Sequence, residues 1–152
     1  MKTIIKNARI VNEGNISKSD ILINGDLIQE IDQNILANGE EKIIDAEGCF
    51  LIPGIIDDQV HFREPGFTHK GTIYSESKAA VAGGITSYFE MPNTNPQTTT
   101  ISELKNKFEI AAKNSFSNYS FMFGGTNNNF GEIQKLDFCE IPAIKLFFFR
   151  DL

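Results

Sequence analysis

The chain has 152 residues, room for one ordinary domain or part of a larger one. At 41% hydrophobic and 22% charged residues it is excluded from the disordered class and reads as globular. Its net charge of -6, with no basic run or basic-aromatic patch, excludes a nucleic-acid surface.

Alternating patterns over 3–11 (TIIKNARIV) and 20–31 (DILINGDLIQEI) predict strands, with turn signals at Glu13-Gly14 and Asn24-Gly25. KIIDAEGCFLI, 42–52, predicts a third strand. Residues 1–52 are therefore expected to be an all-β unit. The opening MKTIIKNARIVNEGN lacks the apolar core and cleavage site of a signal peptide. No stretch approaches the ~20 apolar residues of a membrane helix, so no membrane partner is expected and the cytoplasm is the expected location. Cys49 and Cys139 lie far apart in apolar surroundings and are expected to be buried thiols in a reducing compartment.

From residue 53 the pattern becomes strand, helix, strand, helix over 53–152. LIPGII, 51–56, reads as a buried approach to a strand at 55–62. A helix is predicted over 72–84, a strand over 85–91, and an amphipathic helix over 101–114. That helix has Ile101, Leu104, Phe108, Ala111 and Ala112 on one face and a cap near Thr100 or Ser102. Strands are predicted at 119–125 and 143–149, with a short helix at 132–138 between them. Such a succession implies a parallel sheet, either doubly wound or a barrel. The ending FFFRDL closes on an apolar strand with no covering helix, which predicts an interrupted, truncated domain.

Chemistry concentrates in IDDQVHFREPG, 56–66. On a continuous strand Asp57, Gln59, His61 and Arg63 share one face and Asp58, Val60 and Phe62 the other. An acid, an amide, an imidazole and a guanidinium ending at Pro65-Gly66 suggest the floor of an active site. Taken alone, a strand histidine is more often structural, and zinc wants three or four protein ligands. His69, in GFTHKG, reads as solvated. MPNTNP, 91–96, is either an ordinary turn or a presentation of Asn93. Lys145, in AIKLFFF, is costly on a central strand unless paired or modified; the ordinary alternative is a strand-end lysine reaching solvent. No phosphate-binding glycine loop, GxSxG elbow or helical HExxH is present.

IPGIIDDQVHFREPG, KAAVAGGITSYFEMPNTNP and AIKLF, in this order and spacing, resemble the dihydroorotases of the cyclic amidohydrolase superfamily. Allantoinases and hydantoinases share the metal-binding pattern and are the alternative. The resemblance implies an α/β fold: about four βα units from the N-terminal part of an amidohydrolase-type (β/α)8 TIM barrel, preceded by strands of a small β-sandwich. A barrel takes roughly 250 residues, whereas 98 follow Gly54, so about half the barrel is expected to be missing.

The resemblance further implies zinc-dependent interconversion of N-carbamoyl-L-aspartate and L-dihydroorotate in pyrimidine synthesis, with one or two zinc ions. His61 matches the second histidine of the family's His-x-His pair. Lys145 matches the lysine that becomes carboxylated and bridges two metals, and Arg63 and Asn93 match the holders of the substrate carboxylate. Gln59 stands where the first histidine is expected, and an amide is a poorer zinc ligand than imidazole. The family's later histidines and its aspartate general base are expected beyond Leu152. No catalytic residue of that kind is therefore expected in this chain, and the 152 residues alone are expected to be inactive. A non-catalytic scaffold is a second expectation, binding a pathway partner such as aspartate transcarbamoylase or forming a homo-oligomer.

Overall fold

The computed structural model describes residues 1–147, and the chain divides into two compact units, Met1–Pro53 and Gly54–Leu152. The parts of the predicted last strand and of the FFFRDL ending that fall at 148–152 lie outside the described residues.

In the first unit, β1 (Lys2–Asn12), β2 (Asn15–Asn24), β3 (Leu27–Asp32), β4 (Lys42–Asp45) and β5 (Phe50–Leu51) form one sheet. Its order is β3-β2-β1-β4, with β5 also on β1. The first three strands are antiparallel neighbours; β4 and β5 run parallel to β1. Glu13 and Gly14 both have left-handed backbones, φ 47 and 75, as a two-residue hairpin turn requires. The strand predicted over 42–52 is broken: Glu47 and Gly48 take φ 51 and 79, and the Cys49 N–H bonds back to the Ala46 carbonyl at 2.7 Å. Cys49 leaves that turn exposed, and Cys139 is exposed in the turns after α3, so neither is the buried thiol expected. Ile4, Leu22 and Ile35 form this unit's small core.

The second unit contains β6 (Ile55–Val60), α1 (Ile73–Ala82), β7 (Ile85–Glu90), α2 (Ile101–Asn114), β8 (Asn118–Phe121), β9 (Phe123–Gly125), α3 (Phe130–Ile133) and β10 (Ile144–Leu146). All its strand pairs are parallel: β6 with β7, β7 with β8, and β9 with β10. β8 and β9 are two runs of one stretch, parted at Met122. Spatial order thus follows chain order without reversal. That sequential order is the one a barrel requires, and the run is termed a barrel arc.

Helix starts follow from local chemistry. The Thr72 hydroxyl accepts the Ser75 N–H at 3.0 Å, and the Ser75 hydroxyl accepts the Thr72 N–H at 3.1 Å, a reciprocal cap for α1. Thr100 caps α2 through the Glu103 N–H at 3.2 Å. Leu104 and Ala111 are buried as the periodicity predicts, with Phe108 packed beside them, but Ala112 is exposed. Lys107 takes the buried place between Leu104 and Ala111. α3 is a single turn, shorter than predicted; its Glu132 Oε2 accepts the Ile101 N–H of α2 at 2.8 Å. Phe62, Ile73, Tyr88, Leu104, Phe121 and Phe123 centre the core. Among the described residues no helix is long and apolar enough to cross a membrane, which leaves β-barrel spans unaddressed.

Candidate active site

The site begins where β6 ends. Asp57 pairs with Tyr88 and Val60 with Glu90, so three steps on β6 oppose two on β7. This bulge breaks the two-residue alternation, and the strand stops at Val60. Asp57, Gln59, His61 and Arg63 therefore do not share one strand face as predicted. Nor is the approach buried, since Ile55 and Ile56 are 43% and 59% exposed on the outermost strand of the arc.

Phe62 anchors the segment beyond the bulge by inserting into the core beside Tyr88, ring centroids 4.5 Å apart. His61 precedes it and stays exposed. Its Nδ1 lies 2.9 Å from Asn93 Oδ1. An amide oxygen only accepts, so with Asn93 Oδ1 as partner Nδ1 is the donor, and in the neutral ring the lone pair is then on Nε2. Arg63 then takes a left-handed backbone, φ 74, unusual for a residue with a long side chain. Its N–H donates to Glu90 Oε1 at 3.2 Å, and its carbonyl accepts the Phe67 N–H at 3.0 Å. Glu64 Oε2 accepts the Ile73 N–H at 2.7 Å, placing an anion at the start of α1.

The 91–99 loop closes on this segment. The Asn95 N–H donates to the Pro65 carbonyl at 3.1 Å. Gly66 has φ 91, and a Cβ there would lie 2.0 Å from the Asn95 carbonyl oxygen, so only glycine fits. Buried Thr98 fixes the loop's far side: its N–H bonds to the Pro92 carbonyl at 3.0 Å, and its carbonyl accepts the Gly124 N–H at 2.8 Å. MPNTNP is thus an ordered platform rather than an ordinary turn.

The structure joins His61 to Asn93 through their side chains and holds Arg63 in the same loop pair through its backbone. Gln59 is exposed, its N–H on Asp57 Oδ1 at 3.1 Å. His69 is exposed beside Phe67. Lys145 is half-buried on β10, in register with Gly124, its Nζ 5.6 Å from the Phe147 ring centroid. Among the described residues it shares no hydrogen bond or ion pair with His61 or Asn93. Nor does any group of three or more His, Cys, Asp or Glu among the described residues come together to hold a metal ion. His61 offers one nitrogen suited to zinc, but zinc's three or four ligands are not met by these residues.

Sequence reasoning missed Glu90 and Lys107, each 1% exposed. Lys107 Nζ pairs with Glu90 Oε2, donates to the Met91 carbonyl at 3.1 Å, and lies 5.0 Å from the Phe121 ring centroid. Burial pushes the Glu90 carboxyl up from its ordinary value, opposed by the Lys107 charge. Burial likewise pushes Lys107 down, opposed by Glu90. The signal was available: Lys107 occupies the helical stripe of Leu104, Phe108 and Ala111, and Glu90 alternates with buried Tyr88.

A family model described as Dihydro-orotase-like matches residues 48–131. A dihydroorotase of Carboxydothermus hydrogenoformans is 51% identical over 98 residues, covering 63% of this chain and 23% of that protein. An allantoinase of Desulfitobacterium hafniense is 37% identical over 145 residues, 95% of this chain and 32% of that protein. Among solved structures, the L-hydantoinase (dihydropyrimidinase) of Arthrobacter aurescens aligns at TM-score 0.87 and 30% identity, covering 93% of this chain and 32% of its own. The chain spans 23% to 32% of the length of these relatives. Its architecture is part of an amidohydrolase-type fold, a barrel arc preceded by strands of a five-stranded sheet. The family match covers more than half the chain, and the chain belongs to the dihydroorotase-like family of cyclic amidohydrolases.

Proposed function

We propose that these residues form the substrate-carboxylate end of a dihydroorotase-type active site. The reaction joins the ureido nitrogen of N-carbamoyl-L-aspartate to its side-chain carboxyl carbon and releases water; hydrolysis of L-dihydroorotate is the reverse. Both molecules keep an α-carboxylate throughout, and Arg63 and Asn93 are its proposed holders. A planar guanidinium binds carboxylate bidentately, and the Asn93 amide nitrogen supplies a further donor while its oxygen stays on His61. The observation that carries the reading is the 2.9 Å contact between His61 and Asn93, which fixes a ligand-type imidazole and an amide in one orientation.

In this reading His61 and Lys145, as its carbamate, each contribute a zinc ligand, while Gln59 is a poor one. Zinc, when bound, supplies Lewis-acid polarisation of the ring carbonyl and an activated hydroxide. The ligands named here do not complete its shell, so the 152-residue chain alone is expected to show no dihydroorotase turnover with added zinc. Turnover that co-purifies with the chain and disappears in Lys145→Ala would contradict this. A hydantoinase- or allantoinase-type activity is the second reading, favoured by the likeness to the L-hydantoinase backbone.

One titration separates the two. Nitrogen-15 spectra of the chain are followed with N-carbamoyl-L-aspartate and with uncharged hydantoin. We expect the carboxylate ligand alone to move the Arg63 and Asn93 side-chain signals, and Arg63→Gln to abolish the response. Equal responses to both ligands would favour the second reading. No response to either would overturn the assignment of Arg63 and Asn93.

A further inference from the structure

Arg63 combines a left-handed backbone with a long charged side chain, and nothing in its own sequence favours that conformation. What meets it is a carboxylate from the next strand. Glu90 is the last residue of β7 and lies almost wholly inside the fold. Its Oε1 accepts the Arg63 N–H at 3.2 Å, and its Oε2 is held by Lys107 of α2. Lys107 in turn donates to the carbonyl of Met91, the first residue of the loop that presents Asn93.

We infer that the buried Glu90–Lys107 pair is a positioning device that fixes the Arg63 backbone through Glu90 and the Asn93 loop through Lys107. The functional meaning rests on the reading of Arg63 and Asn93 given above; the mechanical part does not. A buried pair serving packing alone is replaceable by apolar residues of similar volume, often at no cost in stability. Here an apolar replacement would also remove the acceptor for the Arg63 N–H and the donor to the Met91 carbonyl. Desolvating two charges for one ion pair is an expensive way to fill a core, and the two backbone bonds are what an apolar pair cannot reproduce.

The test compares two double variants of the full chain by amide hydrogen exchange, with no ligand present. In Glu90→Leu/Lys107→Met the Tyr88 and Phe121 amides are expected to keep their protection, while the Arg63 amide exchanges at least about tenfold faster. In Glu90→Gln/Lys107→Met the amide oxygen still accepts, so the Arg63 amide is expected to stay within about threefold of the parent. An apolar pair that leaves Arg63 as protected as in the parent overturns the inference. So does a glutamine variant no better than the leucine one. Should the apolar pair fail to fold, the parent chain decides: the Arg63 amide must exchange at least about tenfold slower than the exposed-loop amide of His69, and equal rates refute it. Because the readout needs no substrate, failure of the dihydroorotase reading in the ligand titration leaves this result standing. If both hold, the apolar double variant should also weaken N-carbamoyl-L-aspartate binding, and the glutamine variant, which regains the acceptor for Arg63 but not the Lys107 donor to Met91, should restore it in part.

Discussion

Asp20 in the first unit and Glu90 in the second are both buried carboxylates facing a lysine, and they settle in opposite directions. Burial pushes Asp20 up, but the Lys6 hydrogen bond and the N–H groups of Asn7 and Ile35, at 2.9 and 3.0 Å, outweigh it and hold the carboxyl below its ordinary value. Glu90 has one backbone donor besides Lys107, and burial wins. The lysines differ too: the Lys6 side chain is 25% exposed, that of Lys107 1%. What separates the two is the number of donors aimed at the carboxylate set against the depth at which the pair is held. The first arrangement stabilises a thin sheet through ordinary acid–base chemistry. The second, whose charges are both desolvated, makes sense where backbone placement is what it supplies.

The largest expected effect comes from breaking the deeper pair. Lys107→Met leaves an uncompensated buried carboxylate and should cost about 3–5 kcal/mol, read from the urea midpoint of the second unit. A loss under 1 kcal/mol would mean that water reaches Glu90, and the contrast with Asp20 would fail. Next in size is Gly66→Ala, which strains a left-handed residue against the Asn95 carbonyl and should cost about 2 kcal/mol. An unchanged midpoint would show that the loop pair around Arg63 is loose.

The third test uses pH. Asp20 is lowered in the folded state, so its stabilisation is complete above the unfolded value, near 3.8, and is lost as pH falls through the folded one. Asp20→Asn should remove that acid dependence and cost about 1 kcal/mol at pH 7. Glu90 has the opposite sign: raised in the fold, it takes up its proton more readily than the unfolded chain does, so acid favours the native state at that carboxyl. If Asp20→Asn left the acid transition unchanged, the lowered carboxyl would lie elsewhere. The smallest effect is expected from Lys6→Met, roughly 0.5–1 kcal/mol, because Asp20 keeps its two backbone donors and the lysine is partly solvated. Parity between Lys6→Met and Lys107→Met in urea unfolding would erase the distinction between the two pairs.

Periodicity carried much of the fold. The hairpin at Glu13-Gly14 follows from a turn needing two left-handed residues, and α2 from an apolar stripe with Thr100 before it. The resemblance of HFREPG and MPNTNP pointed to the family, and the structure supplies the contact that joins the two motifs, His61 to Asn93. Less visible was anything that depended on a neighbour in space. The 42–52 strand broke at Glu47-Gly48, and the spacing of Asp57, Gln59, His61 and Arg63 lost its common face at a bulge set by pairing with β7.

By itself the sequence determined that an all-β stretch precedes an alternation of strands and helices, which faces of α2 are apolar, and which short motifs bear the chemistry, because these depend on local propensity and on a side-chain period of 2 or 3.6. The strand predicted over 20–31 is instead β2 from Asn15 and β3 from Leu27, parted at the Asn24-Gly25 turn. Tertiary structure alone decided that β6 bulges before His61, that Cys49 and Cys139 are exposed, and that Glu90 and Lys107 meet inside the core. Periodicity could put Lys107 on the inward stripe of α2 and Glu90 on the inward face of β7, but it could not say that the two meet. Only the packing of α2 against the strands removes the water that would otherwise separate them.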